Sequence, residues 1–81
     1  MMIKVLFFAH LKDAFGTGER MLEVGEGMIV GDIVRSLFSG LKSDGLRSIP
    51  FRFAVNEELV TGDKILEDHD VLALIPPVGG G

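Results

Sequence analysis

Val30-Gly31-Asp32-Ile33-Val34-Arg35-Ser36-Leu37-Phe38-Ser39-Gly40-Leu41 carries the clearest periodicity in this chain. Val30, Ile33, Val34, Leu37, Phe38 and Leu41 recur at helical spacing and form one apolar stripe along an α-helix. Asp32 stands in the first turn, where the positive end of the helix dipole favours an acid. Gly40 suits a C-terminal cap. The start is unorthodox, because no Ser, Thr, Asp or Asn stands just before Val30 to cap it.

Strands flank this helix on both sides. Ile3-Lys4-Val5-Leu6-Phe7-Phe8-Ala9 is rich in β-branched and aromatic residues and reads as a strand. Ile3, Val5 and Phe7 fall on one face of it, Lys4, Leu6 and Phe8 on the other. A short helical turn through Leu11, Ala14 and Phe15 is expected next, closed by Gly16-Thr17-Gly18. Arg20 to Val24 alternates weakly and returns as a second strand. After the helix, Lys42 to Pro50 is polar and reads as a loop. Phe51, Phe53 and Val55 alternate with Arg52, Ala54 and Asn56 as a third strand. Asn56-Glu57-Glu58 is a turn, Leu59-Val60 a very short strand, and Val71 to Ile75 the last strand. One helix across one small mixed sheet is an α+β two-layer domain.

Composition bounds the chemistry. Eighty-one residues, 47% hydrophobic and 25% charged, make a single globular domain and not a disordered chain. Cysteine is absent, which excludes disulfides, thiolate metal sites and a cysteine nucleophile. His10 and His69 are too few for a histidine-rich metal site. The net charge of −4 lacks the footprint that binds phosphate backbones, so neither nucleic acid nor an anionic membrane is expected as a partner. A membrane helix needs about 20 consecutive apolar residues. Val71 to Val78 falls short and contains two prolines. The N-terminus lacks signal-peptide architecture, and a cytoplasmic protein is expected.

Conventional catalytic arrangements are missing. Serines 36, 39, 43 and 48 have no histidine and acid in a recognisable motif. Gly16-Thr17-Gly18 and Gly25-Glu26-Gly27 lack the context of a phosphate loop and read as turns. Residues 57–70 carry Glu57, Glu58, Asp63, Glu67, Asp68 and Asp70 against Lys64 alone. Their spacing matches no calcium loop, so they read as a solvated turn region and no metal site is expected.

The informative segment is Ile75-Pro76-Pro77-Val78-Gly79-Gly80-Gly81. Two prolines directly after a strand remove two donors and end sheet pairing. They also hold the chain extended. Four residues with little side chain follow, reaching about 13–14 Å beyond Pro77. This is a stiff launch and a thin probe ending in a carboxylate, with residues 1–78 as the folded domain and 79–81 as a flexible glycine tail.

Taken together, the opening strand, Phe53-Ala54-Val55-Asn56-Glu57-Glu58-Leu59-Val60 and the Pro76-Pro77-Val78-Gly79-Gly80-Gly81 ending resemble the MoaD/ThiS family of ubiquitin-like sulfur carriers. The likeness spans essentially the whole chain and is greatest to the MoaD, molybdopterin-synthase, branch. Family members often carry Phe where Leu74 and Ile75 stand, and Gly where His69 stands. The resemblance implies a β-grasp fold. It also implies that the Gly81 carboxylate is adenylated with MgATP by a partner similar to ubiquitin-activating enzymes, a MoeB-like adenylyltransferase. A sulfur donor protein would then convert it to a thiocarboxylate. Inside the synthase large subunit, MoaE-like, it would pass sulfur to a cyclic pyranopterin in molybdenum cofactor biosynthesis. No cofactor bound by this chain and no catalytic side chain is expected. Gly79 and Gly80 would thread the partner's active site, where any Cβ adds bulk.

Partner contacts are expected at Phe8, Leu59, Ile75, Pro76, Pro77 and Val78. If Ile3, Val5, Phe7, Phe53, Val55, Leu72 and Leu74 face the helix, alternation puts Phe8, Ala73 and Ile75 on the opposite face, and Leu59 could join them. Three other readings stand beside this one. They are a ThiS-like carrier for thiazole synthesis, a ubiquitin-like modifier captured by a lysine, and a plain interaction module with an inert tail.

Overall fold

In a computed structural model, which describes residues 1–40 and 51–76, the strands form where the alternation placed them. Strand β1 is Met2–Phe7, β2 Glu19–Glu23, β3 Arg52–Val55, β4 Glu58–Val60 and β5 Val71–Ile75, with helices α1 at His10–Phe15 and α2 at Val30–Ser39. The five strands form one mixed sheet in the order β2-β1-β5-β3-β4. β1 and β5 are parallel, and the other three pairs are antiparallel.

Several boundaries are shorter than the sequence pattern implies, and each has a cause. β1 stops at Phe7 because the chain turns at Ala9, whose backbone sits at φ 53, ψ −132. That conformation belongs to the first central position of a type II′ turn, normally glycine. The Leu11 N–H donates back to the Phe8 carbonyl at 3.1 Å and closes the turn. β3 ends at Val55 because Asn56 and Glu57 take φ 51 and 73, the left-handed pair of a two-residue hairpin to β4. Helix α2 ends at Ser39 with Gly40 as its C-cap, right-handed at φ −84. Leu41 and the expected loop over Lys42 to Pro50 lie outside the described residues.

The missing side-chain cap at the start of α2 is replaced by backbone from elsewhere. Val30 N–H donates to the Lys64 carbonyl at 3.0 Å and Gly31 N–H to the Gly62 carbonyl at 2.8 Å. Leu66 N–H returns a bond to Met28 at 2.9 Å, and Ile29 bridges Ile65. The orphan donors of the first turn are thereby satisfied without a polar N-cap.

Core residues come from the stripe and from every second strand position. Ile3, Val5, Phe7, Leu72, Leu74 and Val55 from the sheet meet Val30, Ile33 and Phe38 of α2, with Leu11 and Leu66 closing the ends. Val34, Leu37 and Phe53 pack partly buried against them. Each such side chain contributes about 1.5–3 kcal/mol when fully buried. Rings run through this core in sequence. Phe7 stacks on Phe15 at 4.3 Å, Phe15 meets Phe38 at 5.6 Å, Phe38 stacks on Phe51 at 5.2 Å, and Phe51 meets Phe53 edge-on at 5.4 Å. Phe8 stands outside this chain of rings.

Candidate functional site

Helix α2 covers one face of the sheet. The other face is where alternation sends Leu6, Ala54, Ala73 and Leu59. The register lines these four up across four strands. Leu6 pairs with Ala73, Ala73 with Ala54, and Ala54 with Leu59. The middle of the row is low, since alanine carries only a Cβ, and its ends are tall. A groove of about 590 Å³ results, lined also by Phe8, Asn56, Glu57, Val71 and Ile75.

Exposure on this face is uneven. Phe8 is 46% exposed and Leu59 63% exposed, both high for large apolar side chains. Ala54, at the floor, is only 5% exposed. Ile75 and Ala73 are half-buried. Exposed apolar surface of this kind commonly marks a protein contact. Of the residues expected at a partner contact, the fold brings Phe8, Leu59 and Ile75 to this one groove. Pro76 follows directly from β5 and is buried. Pro77, Val78, Gly79, Gly80 and Gly81 lie outside the described residues.

Leu6, Ala54 and Val71 also line the groove and were not singled out as contacts from sequence. Their signal was present in the strand alternation, but only the cross-strand register turns three scattered residues into one surface. Lys4 lies on the same face and pairs with Glu19 at 3.7 Å. Arg52, exposed, stands opposite Ile75 at the end where β5 leaves the sheet.

The opposite end of the sheet is polar and closed. The Asn56 amide donates to Asp70 Oδ1 at 2.9 Å, and its oxygen accepts from the Val71 N–H at 3.0 Å. Asp70 is 7% exposed, and its second oxygen accepts from the Glu67 N–H at 2.7 Å. Asp68 accepts from the Met2 N–H at 2.7 Å. That bond holds its carboxyl below the ordinary value of 3.8, and the neighbouring His69 and N-terminal ammonium act in the same direction, against a smaller desolvation effect. Residues 67–70 thus tie the starts of β1 and β5 to the β3–β4 turn. Among the described residues, no three His, Asp or Glu side chains converge as a metal site. No described helix is long and apolar enough to cross a membrane.

Known proteins resemble this chain in sequence and fold. Over 83 residues, covering all of both chains, the sequence is 32% identical to the molybdopterin synthase sulfur carrier subunit of Chlamydomonas reinhardtii. The fold superposes on SAMP1 from Haloferax volcanii with a TM-score of 0.84 over all of both chains, at 24% identity, a likeness of fold alone. It also matches a chain in the protein–protein complex of subunits 1 and 2 of the molybdopterin-converting factor from Helicobacter pylori 26695, with a TM-score of 0.66, 26% identity and full coverage of both chains. The expected α+β, ubiquitin-like β-grasp architecture is therefore the one observed. The ThiS family profile matches residues 5–81. This chain belongs to the ThiS family.

Proposed function

We propose that this chain is the sulfur-carrier small subunit of a molybdopterin synthase. One observation carries the reading. The strand that supplies Ala73 and Ile75 to an exposed apolar groove is followed in sequence, after Pro76, by the Pro-Val-Gly-Gly-Gly segment. A partner that covers the groove therefore receives the tail.

The carboxylate of Gly81 is the reacting group. Its reference pKa of about 3.3–3.7 leaves it ionised and a poor electrophile at neutral pH. A carboxylate oxygen attacks the α-phosphorus of MgATP on an adenylyltransferase similar to ubiquitin-activating enzymes, and pyrophosphate leaves. The outer sulfur of a persulfide on a donor protein then displaces AMP to form an acyl disulfide. A partner thiol cleaves its S–S bond, leaving the thiocarboxylate on this chain and a disulfide on the partner. That sulfur passes to a cyclic pyranopterin in the synthase large subunit. The metal and the groups that polarise the phosphate belong to the partner, and this chain supplies the docking face and a narrow tail. We infer a cytoplasmic setting, where the activating step finds ATP.

Intact mass of the protein from its native host tests the reading. Replacement of one oxygen by sulfur at the C-terminus supports a carrier. An isopeptide-linked conjugate in its place supports a protein modifier. Deleting Gly81, or adding one residue after it, abolishes sulfur transfer while the fold survives, and retained transfer overturns the assignment. Reconstitution with the large subunit separates the branches, because a thiazole carrier yields no dithiolene.

A further inference from the structure

The groove has a shape and a charge layout that specify what docks in it. Ala54 and Ala73 stand directly opposite each other on neighbouring strands, so its floor is two methyl groups wide. Leu6 and Leu59 close its ends along the row, and Phe8 and Ile75 stand at the tail side. Over the alanine floor no side chain offers a free polar group, and the one carboxylate of the lining, Glu57, stands at the end away from Ile75. Asn56 lines the groove, but both ends of its amide are committed to Asp70 and to the Val71 N–H. The floor over Ala54 and Ala73 therefore suits a bulky apolar side chain and gives a polar group seated there no partner.

Charge is laid out along the long axis of this face. Arg52 sits beside Ile75 at the tail-exit end, and no ion pair joins it to any described residue. Lys4, the other strand cation on this face among the described residues, pairs with Glu19. At the far end Glu57 lines the groove. Four residues of extended chain separate Arg52 from Asn56, about 14 Å. A flat apolar contact could be made in two opposite orientations. A cation at one end and an anion at the other distinguish them, since placing like charges together is costly. Only one orientation carries the tail into the partner.

We propose that this face recognises a partner protein at two points: a socket over Ala54 and Ala73 that receives one bulky apolar side chain, and Arg52, which receives a carboxylate on the tail-exit side. The inference rests on the sulfur-carrier reading and names the chemistry of its partner surface, an apolar knob with an acid beside the tail channel and no acid at the other end.

Binding to the purified synthase large subunit from the same organism, followed by calorimetry at several salt concentrations, tests it. Ala73→Leu fills the socket and weakens binding by about thirtyfold or more, the size of a hot-spot loss. Arg52→Glu weakens it by a similar factor, and Arg52→Ala flattens its salt dependence. Arg52 is exposed, so its variants stay folded and decide the matter if Ala73→Leu does not. Wild-type affinity in a folded Ala73→Leu overturns the socket. An unchanged salt slope in Arg52→Ala overturns the charge point. Loss confined to these variants supports the proposal. A wild-type chain that binds the large subunit, with every variant binding equally, overturns this inference alone. A wild-type chain that does not bind overturns the sulfur-carrier reading and this inference with it.

Discussion

Gly31 N–H donates to the Gly62 carbonyl at 2.8 Å, and a Cβ placed on Gly31 would lie 3.3 Å from that same oxygen. The helix start and the 61–66 loop are thus held at glycine distance. Alanine normally favours a helix over glycine by up to about 1 kcal/mol. Here the neighbour is a backbone carbonyl already engaged in the bond that caps the helix, and it cannot yield without lengthening it. Gly31→Ala should lower stability by roughly 1 kcal/mol, the small end of overpacking costs. Gly62→Ala meets its nearest neighbours only at 3.8 Å and should be close to neutral. Urea unfolding of both variants checks the contrast, and a Gly31→Ala more stable than wild type would refute it.

Asn56 joins two strands through its side chain. Asn56→Ala leaves Val71 N–H without an acceptor and Asp70, nearly buried, without its amide donor. Unsatisfied groups of this kind cost about 1–3 kcal/mol each. The variant should lose about 2 kcal/mol or more in denaturant unfolding. A loss under half that size would mean that water replaces the amide.

Glu57 takes φ 73 in the hairpin between β3 and β4. A side chain there is strained, and Asn-Gly is the preferred pair for this turn. Glu57→Gly should stabilise the chain by about 0.5–1 kcal/mol. Ala9→Gly, at φ 53, should behave alike. Thermal unfolding measures both, and a lowered midpoint in each would contradict the assigned turns.

Asp68 brings a pH dependence. Its carboxyl is held below 3.8 in the folded chain, first by the Met2 N–H. A depressed carboxyl contributes stability that is fully present above the unfolded value and is lost as pH falls through the folded one. Asp68→Asn should therefore differ from wild type most above about pH 4, and the two melting curves should converge in stronger acid. A carboxyl-carbon titration by NMR should place the Asp68 midpoint below 3.8. Parallel stability curves across the acid range would count against this account.

Phe7 and Phe8 are neighbours with opposite duties. Phe7 is 2% exposed and stacked on Phe15, while Phe8 is 46% exposed at the groove. Phe7→Asp should unfold the domain. Phe8→Asp should leave the melting midpoint nearly unchanged and weaken partner binding by about 2 kcal/mol, a hot-spot amount. If Phe8→Asp unfolds the chain yet binds normally when folded, the two faces have been exchanged.

By itself the sequence determined what is local. The stripe from Val30 to Phe38, the alternation of Ile3, Val5 and Phe7 against Lys4, Leu6 and Phe8, and the prolines after Ile75 are periodic or steric properties of neighbouring residues. They specify the elements and the core-facing sides, and the placement of Phe8 and Ile75 on the face away from the helix was legible for that reason. Tertiary structure alone decided the rest. The parallel pairing of β1 with β5 brings Leu6 beside Ala73, and the β3 register brings Ala54 into line with both. No single segment contains that row. The start of α2 is capped by carbonyls of residues 62 and 64, and a backbone oxygen more than thirty residues away leaves no signature in the side chains around Val30. Ala9 ends β1 through a backbone angle that its side chain disfavours, so no propensity announces it. Side-chain pattern is written along the chain, whereas hydrogen bonds between distant backbone groups exist only once the strands have found their partners.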